Sequence, residues 1–360
     1  MDFYTNVVQW GNFLLVRGVD NNQRVNFRLK YKPTLFVPVM KQTDWKTLDG
    51  KSVTPYQFDC IKDAKDFLLK YESQPHLVHG LNRFAYTYIS DKFPQKVNWN
   101  IDKILIMTID IEVQCENGFP NPESAIEPLL SITVKNQQSK KIIVWGIQPY
   151  KNTREDVTYI RCPNEHDLIM EFMSFWTKNY PDVITGWNTD FFDIPYLANR
   201  IKQVCGEDKM RELSPWKNVS SKQIYSMGRN HLMYDIMGVS QYDYLQLYQK
   251  FTYTRQESYK LDYIASVELG EKKDENPYET FREWYENDFQ SFIDYNIQDV
   301  EIVDKLEDKM GLIDLALTMA YEGKVNYSDV FGQVKYWDIL IYNFCLLYTS
   351  PSPRDGTSSR

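Results

Sequence analysis

The sequence predicts a mixed α/β sheet with a small α+β unit ahead of it, and three observations carry that prediction. Between residues 99 and 312, short apolar runs alternate with amphipathic helical stretches. Residues 1–98 read instead as alternating strands followed by a helix. One strand-like run, Ile101 to Val113, also carries two carboxylates two residues apart.

Taken in order, Phe13 to Val19 and Val25 to Lys30 alternate as strands around the turn-forming Asp20-Asn21-Asn22. Thr34 to Val39 follows Pro33 as a further strand. Ile61, Ala64, Phe67, Leu68 and Tyr71 have helical spacing. In the second unit, Leu130 to Val134 and Lys141 to Trp145 form a hairpin through Gln137-Gln138-Ser139. Asn164 is placed to cap a helix with the stripe Leu168, Ile169, Phe172, Met173 and Trp176. A short strand, Asp182 to Gly186, leads to a helix beginning near Pro195, where the missing N–H costs nothing. Lys222 to Tyr234 is polar, with Gly228-Arg229-Asn230 at an exposed hairpin tip. A long helix runs from about Asp288 through Met310, and Gly311 breaks it before Leu312 to Ala320.

At 360 residues the chain has room for two or three domains. Hydrophobic content of 43% and aromatic content of 15% mark it as globular rather than disordered. The formal net charge of -8 excludes a global basic field, so any polyanion must be held by local basic or aromatic groups or by metals. Five dispersed cysteines give no thiolate metal motif and no disulfide framework, and a reducing compartment suits them. The pair His76 and His79 has no accompanying ligand for zinc. Met1-Asp2-Phe3 begins no signal peptide, and no apolar run reaches the roughly 20 residues of a membrane span. A soluble protein without membrane contact is expected. The tail from Thr349 to Arg360 resembles translated sequencing adapter; residues 345–360 are expected to be disordered and non-native, with the gene continuing past Phe344.

The chemistry starts at Asp110 and Glu112. Residues two apart share a strand face, and no basic residue lies beside this pair. Half-buried like charges repel and lose hydration, so a cation between them is the natural occupant. Three further features can complete a metal site. Asp193 lies in the segment Thr185 to Pro195, which leaves a strand and enters a helix; it either faces a cleft or caps that helix. Tyr295 and Asp299, four apart, share a helix face. The order Asp-Ile-Glu, then Asn188 to Asp193, then Tyr295 to Asp299 says more than any piece alone.

That order resembles the three motifs of the DEDDy 3′–5′ exonucleases, and specifically those of T-even-type phage family B DNA polymerases. The segments Asp110-Ile111-Glu112-Val113, Asn117-Gly118-Phe119-Pro120, Thr185-Gly186-Trp187-Asn188, Phe192-Asp193-Ile194-Pro195-Tyr196, Leu261-Asp262-Tyr263-Ile264 and Tyr295-Asn296-Ile297 carry the resemblance. Tyr31-Lys32-Pro33 and Trp337-Asp338 extend it across nearly the whole chain. It implies a ribonuclease-H-like exonuclease domain over 99–312, with a mixed β-sheet and flanking helices. It also implies an N-terminal domain over 1–98 that is completed by residues 313–344.

By the same resemblance Asp110, Glu112, Asp193 and Asp299 handle two divalent metals, Mg²⁺ or Mn²⁺, and Tyr295 positions the attacking water. Asp110 is expected to bridge the ions, with Glu112 and Asp299 completing one site and Asp193 supporting the other. Two ions about 3.5–4 Å apart would activate the water and stabilise the leaving 3′ oxygen. Lys273, closing Leu269-Gly270-Glu271-Lys272-Lys273, resembles a lysine that approaches such a site. Phe119, Asn188, Phe192 and Arg229 are the expected DNA contacts, with Trp187 read as core. The implied partners are a single-stranded 3′ end and primer–template DNA, the rest of the polymerase chain and a replisome sliding clamp. The implied location is the cytoplasm of an infected bacterium. The palm motifs DxxSLYPS and DTDS do not occur, so the expected activity is excision without synthesis. Two alternatives stand beside it, a non-catalytic nucleic-acid-binding module and a stand-alone RNA exonuclease. The four carboxylates argue against the first, the N-terminal domain and family-specific flanks against the second.

Overall fold

The computed structural model describes residues 1–349 apart from Asn117, Met227 and 272–275, with the side chains of Ser226 and of 347–349 also set aside. The chain divides into two compact units, one formed by Met1–Lys103 with Ala316–Arg360 and the other by Ile104–Leu315.

In the first unit β1 (Phe3–Trp10), β2 (Phe13–Asp20) and β3 (Gln23–Lys30) form an antiparallel meander. Asn21 and Asn22 both take positive φ, 49° and 61°, which matches the twist of a two-residue hairpin turn. Two shorter strands, β4 (Thr34–Pro38) and β5 (Val53–Gln57), pair antiparallel, and α1 (Ile61–Lys70) and α2 (Phe84–Lys92) follow.

The second unit is built on a sheet of order β13-β10-β6-β7-β8-β9. Its strands are β6 (Ile106–Val113), β7 (Leu129–Asn136), β8 (Ile142–Gly146), β9 (Val157–Arg161), β10 (Val183–Gly186) and β13 (Ser240–Asp243). β6, β7 and β8 are antiparallel neighbours, whereas β10 runs parallel to both β6 and β13. The helices are α3 (Glu165–Lys178), α4 (Asp193–Cys205), α5 (Glu207–Arg211), α6 (Tyr244–Phe251), α7 (Leu261–Leu269), α8 (Phe281–Asn287) and α9 (Phe289–Met310). β11 (Val219–Ser226) and β12 (Arg229–Ile236) make a separate hairpin.

Two apolar layers hold this sheet. Met107, Ile109, Ile111 and Val113, the odd positions of β6, pack with Phe172 and Trp176 of α3 and Leu197 of α4. Leu130, Val144 and Val157 pack on the other side with Phe292, Ile293, Ile297 and Val300 of α9. The even positions of β6 therefore point toward α9. Asn164 caps α3 by accepting from the Asp167 N–H at 2.9 Å, and Gly311 ends α9 in the left-handed conformation at φ 61°.

α10 (Leu312–Gly323) carries the chain back to the first unit, where α11 (Gln333–Thr349) follows. The return is fastened to β1: the Asn326 side chain accepts from the Val7 N–H and donates to the Val7 carbonyl, both at 2.8 Å, in the manner of a ladder rung. Tyr86 Oη donates to Asp329 at 2.6 Å, and Tyr4 Oη donates to the Val325 carbonyl at 2.8 Å. Residues 345–349, expected in a disordered tail, are helical instead, because they continue the apolar pattern of α11. The remainder of the tail, 350–360, lies outside the described residues, as do Asn117 and Lys273. No described helix is long and apolar enough to cross a membrane.

Candidate active site at the end of the central strand

β6 is buried along its length except at Asp110 and Glu112, which are half-exposed. The strand is central, so these two carboxylates are held on a rigid element rather than on a loop. From the facing helix, Asp299 brings a third carboxylate, itself only 8% exposed. One oxygen from each of Asp110, Glu112 and Asp299 lies within 4.8 Å of the others. At an effective dielectric constant of about 20, each ionised pair at that range repels by about 3 kcal/mol. A divalent cation removes that penalty, and an all-oxygen donor set suits Mg²⁺ or Mn²⁺. The residues present fit such a group.

Asp193 opens α4 and is 3% exposed. Its Oδ1 accepts from the Ile111 N–H at 3.1 Å, between the two acidic positions of β6. Of the two roles open to it from sequence, the capping one is not seen: the α4 N-cap is Phe192, with no side-chain capping bond. Burial pushes the Asp193 carboxyl well above the ordinary aspartate range, and the charges of Asp243 and Asp299 add to the rise while the Ile111 N–H opposes it.

The loop from Gly186 to Phe192 is pinned tightly. A Cβ at Gly186 would stand 2.5 Å from the Ile109 carbonyl oxygen and 2.5 Å from Thr189 Cγ2, so only glycine lets this loop lie against β6. Asn188 takes positive φ, 65°, and its N–H donates to Asp243 Oδ1 at 3.0 Å. The same carboxylate accepts from the N–H groups of Asp190 at 3.3 Å and Leu245 at 2.9 Å. Asp243 thus caps α6 and clamps the Asn188 loop at once. Asp190 beside it is 7% exposed; Gln246 donates to its Oδ2 at 2.8 Å, and its Oδ1 has no hydrogen-bond partner among the described residues. Burial, with the Asp243 charge close by, drives the Asp190 carboxyl upward.

Tyr295 lies one helical turn before Asp299, half-buried, its ring edge-on to Trp284 at 4.9 Å and to Phe281 at 6.1 Å. The neighbouring Asn296 is fully enclosed; it accepts from Ser131 Oγ and Thr133 Oγ1 and donates to Asp110 Oδ2.

A cavity of about 490 Å³ is lined by Phe119, Asn188, Phe192 and Arg229, the four residues singled out from sequence for DNA contact, together with Phe191 and His231. Phe119 is 84% exposed with its ring 5.1 Å from that of Phe192. The Phe191 ring packs against that of His231, tilted, with centroids 4.4 Å apart, joining the loop to the β11–β12 hairpin. Trp187, read as core from sequence, is half-buried instead; it donates its indole N–H to the Tyr259 carbonyl at 3.0 Å and packs near Tyr244 and Tyr248.

The sequence reading missed Asn296, Ser131, Thr133 and Asp243. Asn296 stood inside the Tyr295–Asp299 motif, and its small amide on the apolar stripe of α9 was the available signal. Asp243, directly before the helical run Tyr244 to Phe251, carried only the signal of an N-cap.

The family model for the DNA polymerase family B exonuclease domain matches residues 79–264. The DNA-directed DNA polymerase of Escherichia phage RB69 is 33% identical over 372 residues, covering 95% of this chain and 41% of that protein. The DNA-directed DNA polymerase of Enterobacteria phage T4 is 32% identical over 369 residues, with the same coverage. A DNA polymerase delta catalytic subunit from Candida albicans is 29% identical over 203 residues, 51% of this chain and 18% of that one. The chain thus spans about two fifths of the length of its phage relatives. The family match ends before α9, yet α9 delivers Asp299 to within 4.8 Å of the two acids of β6. On these grounds the chain belongs to DNA polymerase family B and contains that family's exonuclease domain.

Proposed function

We propose that this chain is a metal-dependent 3′–5′ exonuclease acting on single-stranded DNA ends, the proofreading part of a phage replicative polymerase. The observation that carries the reading is the convergence of Asp110, Glu112 and Asp299, in a unit that also holds a cavity lined by aromatic rings and Arg229. These three carboxylates would hold one divalent ion, and Asp193 would support a second. Such ions, when bound, supply an acidified water and a counter-charge for the departing 3′ oxygen.

The chain's own groups do the rest. Asp110 and Glu112, fixed on a central strand, set where the scissile phosphate must come to rest. The Tyr295 phenol hydrogen-bonds the attacking water and orients it while keeping its own proton. Phe119 and Phe192 stack on the terminal bases, Asn188 bonds the sugar–phosphate, and Arg229 offsets phosphate charge. Paired bases remain in their own stack, so an unpaired 3′ end reaches these rings at lower cost. Synthesis, with its primer–template and clamp contacts, we assign to polymerase segments outside these 360 residues.

Three outcomes test the reading. Purified protein given 5′-labelled single-stranded DNA and Mg²⁺ is expected to shorten it stepwise from the 3′ end. EDTA or Asp110→Ala should cut the rate by about 10³-fold or more, equivalent to about 4 kcal/mol of barrier. Cleavage that survives both would contradict the metal mechanism, and equal or faster cutting of RNA would point to an RNA exonuclease. Tyr295→Phe should slow cleavage by about 10–100-fold, the worth of one hydrogen bond to a charged partner, with DNA affinity within about twofold of the parent. Parallel losses in both would remove its assigned part. Phe119→Ala should weaken binding of single-stranded DNA by about 1–3 kcal/mol in a fluorescence anisotropy titration, with no change in thermal stability because the ring is exposed. Unchanged affinity would remove it from the DNA path.

A further inference from the structure

Asn296 is a buried polar group that the reaction above does not use. An amide on the core-facing side of α9 is unfavourable twice over: asparagine is a weak helix former, and its polar atoms must leave water. Here both ends are bonded. Its Oδ1 accepts from Ser131 Oγ at 3.1 Å and from Thr133 Oγ1, and its Nδ2 donates to Asp110 Oδ2.

The register explains why three elements meet at this point. Thr133 of β7 pairs with Asp110 of β6, and Ser131 pairs with Glu112. Residues directly opposite in an antiparallel pair share a face, so the two hydroxyls and the two carboxylates all point toward α9. Ser131, Thr133 and Asn296 are each fully enclosed. The orientation of the amide follows from the same neighbours. Reversed, its oxygen would oppose the Asp110 carboxylate, acceptor against acceptor, in a place with little water to relieve the repulsion.

We infer that Ser131, Thr133 and Asn296 form a positioning relay for Asp110. The two hydroxyls hold the Asn296 carbonyl, and the amide N–H₂ holds one oxygen of Asp110, fixing the plane in which that carboxylate meets a cation. Partners of this kind orient metal-binding carboxylates, and their loss typically costs about 10–100-fold in metal affinity or activity. The inference rests on the reading of Asp110 as a metal ligand, and the experiment separates the two.

The test is an electron paramagnetic resonance titration of the DNA-free protein with Mn²⁺, comparing the parent with Asp110→Ala, Asn296→Ala and Thr133→Val. Asn296→Ala is expected to bind Mn²⁺ about 10–100-fold more weakly than the parent. Thr133→Val keeps the side-chain shape and removes one of the two hydroxyls that donate to the Asn296 carbonyl, and it should show a smaller loss in the same direction. Single-stranded DNA affinity in EDTA should stay within about twofold of the parent for both, because the relay does not reach the DNA cavity. Parent-like Mn²⁺ affinity in both variants would overturn the relay. Should Asn296→Ala fail to fold, parent-like affinity in Thr133→Val alone would overturn it. A parent that binds no Mn²⁺, or an Asp110→Ala variant that binds it undiminished, would overturn the metal reading and the relay with it.

Discussion

The interaction on which this structure turns is the mutual repulsion of carboxylates gathered at one end of β6. Asp110, Glu112 and Asp299 bring an oxygen each within 4.8 Å, and Asp193 joins them through the backbone between the first two. Left to themselves, such groups would spread apart or stay protonated. They are kept together by elements that cannot move independently. β6 is the central strand with apolar packing on its odd positions, α9 is locked by Phe292, Ile293, Ile297 and Val300, and the Asn188 loop is fastened to β13 and α6 through Asp243. The fold therefore stores an unfavourable local arrangement at this end of β6.

The face of the sheet beneath α9 shows how that arrangement is supported. Along β7 the inward positions are Ser131, Thr133 and Lys135, all buried. Asn296 meets the first two, and Asp304 meets Lys135 at 2.8 Å in an ion pair of two enclosed side chains. These three inward polar positions of the strand are thus matched by polar positions of the helix. A buried pair of this kind contributes little to stability against an apolar alternative, yet removing one partner is costly. Its value here lies in fixing the register of α9 over the sheet, and so the position of Asp299 relative to β6.

Much of this was legible in the sequence because the relevant signals are local. Apolar periodicity marked β6 and α9, a spacing of two placed Asp110 and Glu112 on one face, and a spacing of four placed Tyr295 and Asp299 on one helix side. The strand-to-helix segment marked the Asp193 loop, and Asn164 and Gly311 marked helix ends through ordinary capping chemistry. What stayed hidden depends on pairing between distant segments. The alternation Ser131-Ile132-Thr133-Val134-Lys135 reads as a strand with one solvated face, and only the packing of α9 reveals that this face is buried. Asp243 reads as a simple cap until the sheet order sets β13 next to β10 and brings it under Asn188. The strands β5, β9 and β13 likewise needed partners to be recognised, since short runs carry too little periodicity alone.

The proposed pair of cations can be located by anomalous diffraction. Crystals of the protein soaked with Mn²⁺ and a short single-stranded oligonucleotide should show one anomalous peak bounded by Asp110, Glu112 and Asp299 and a second on the Asp193 side. A map with no peak there, or with Mn²⁺ bound only elsewhere, would contradict the account.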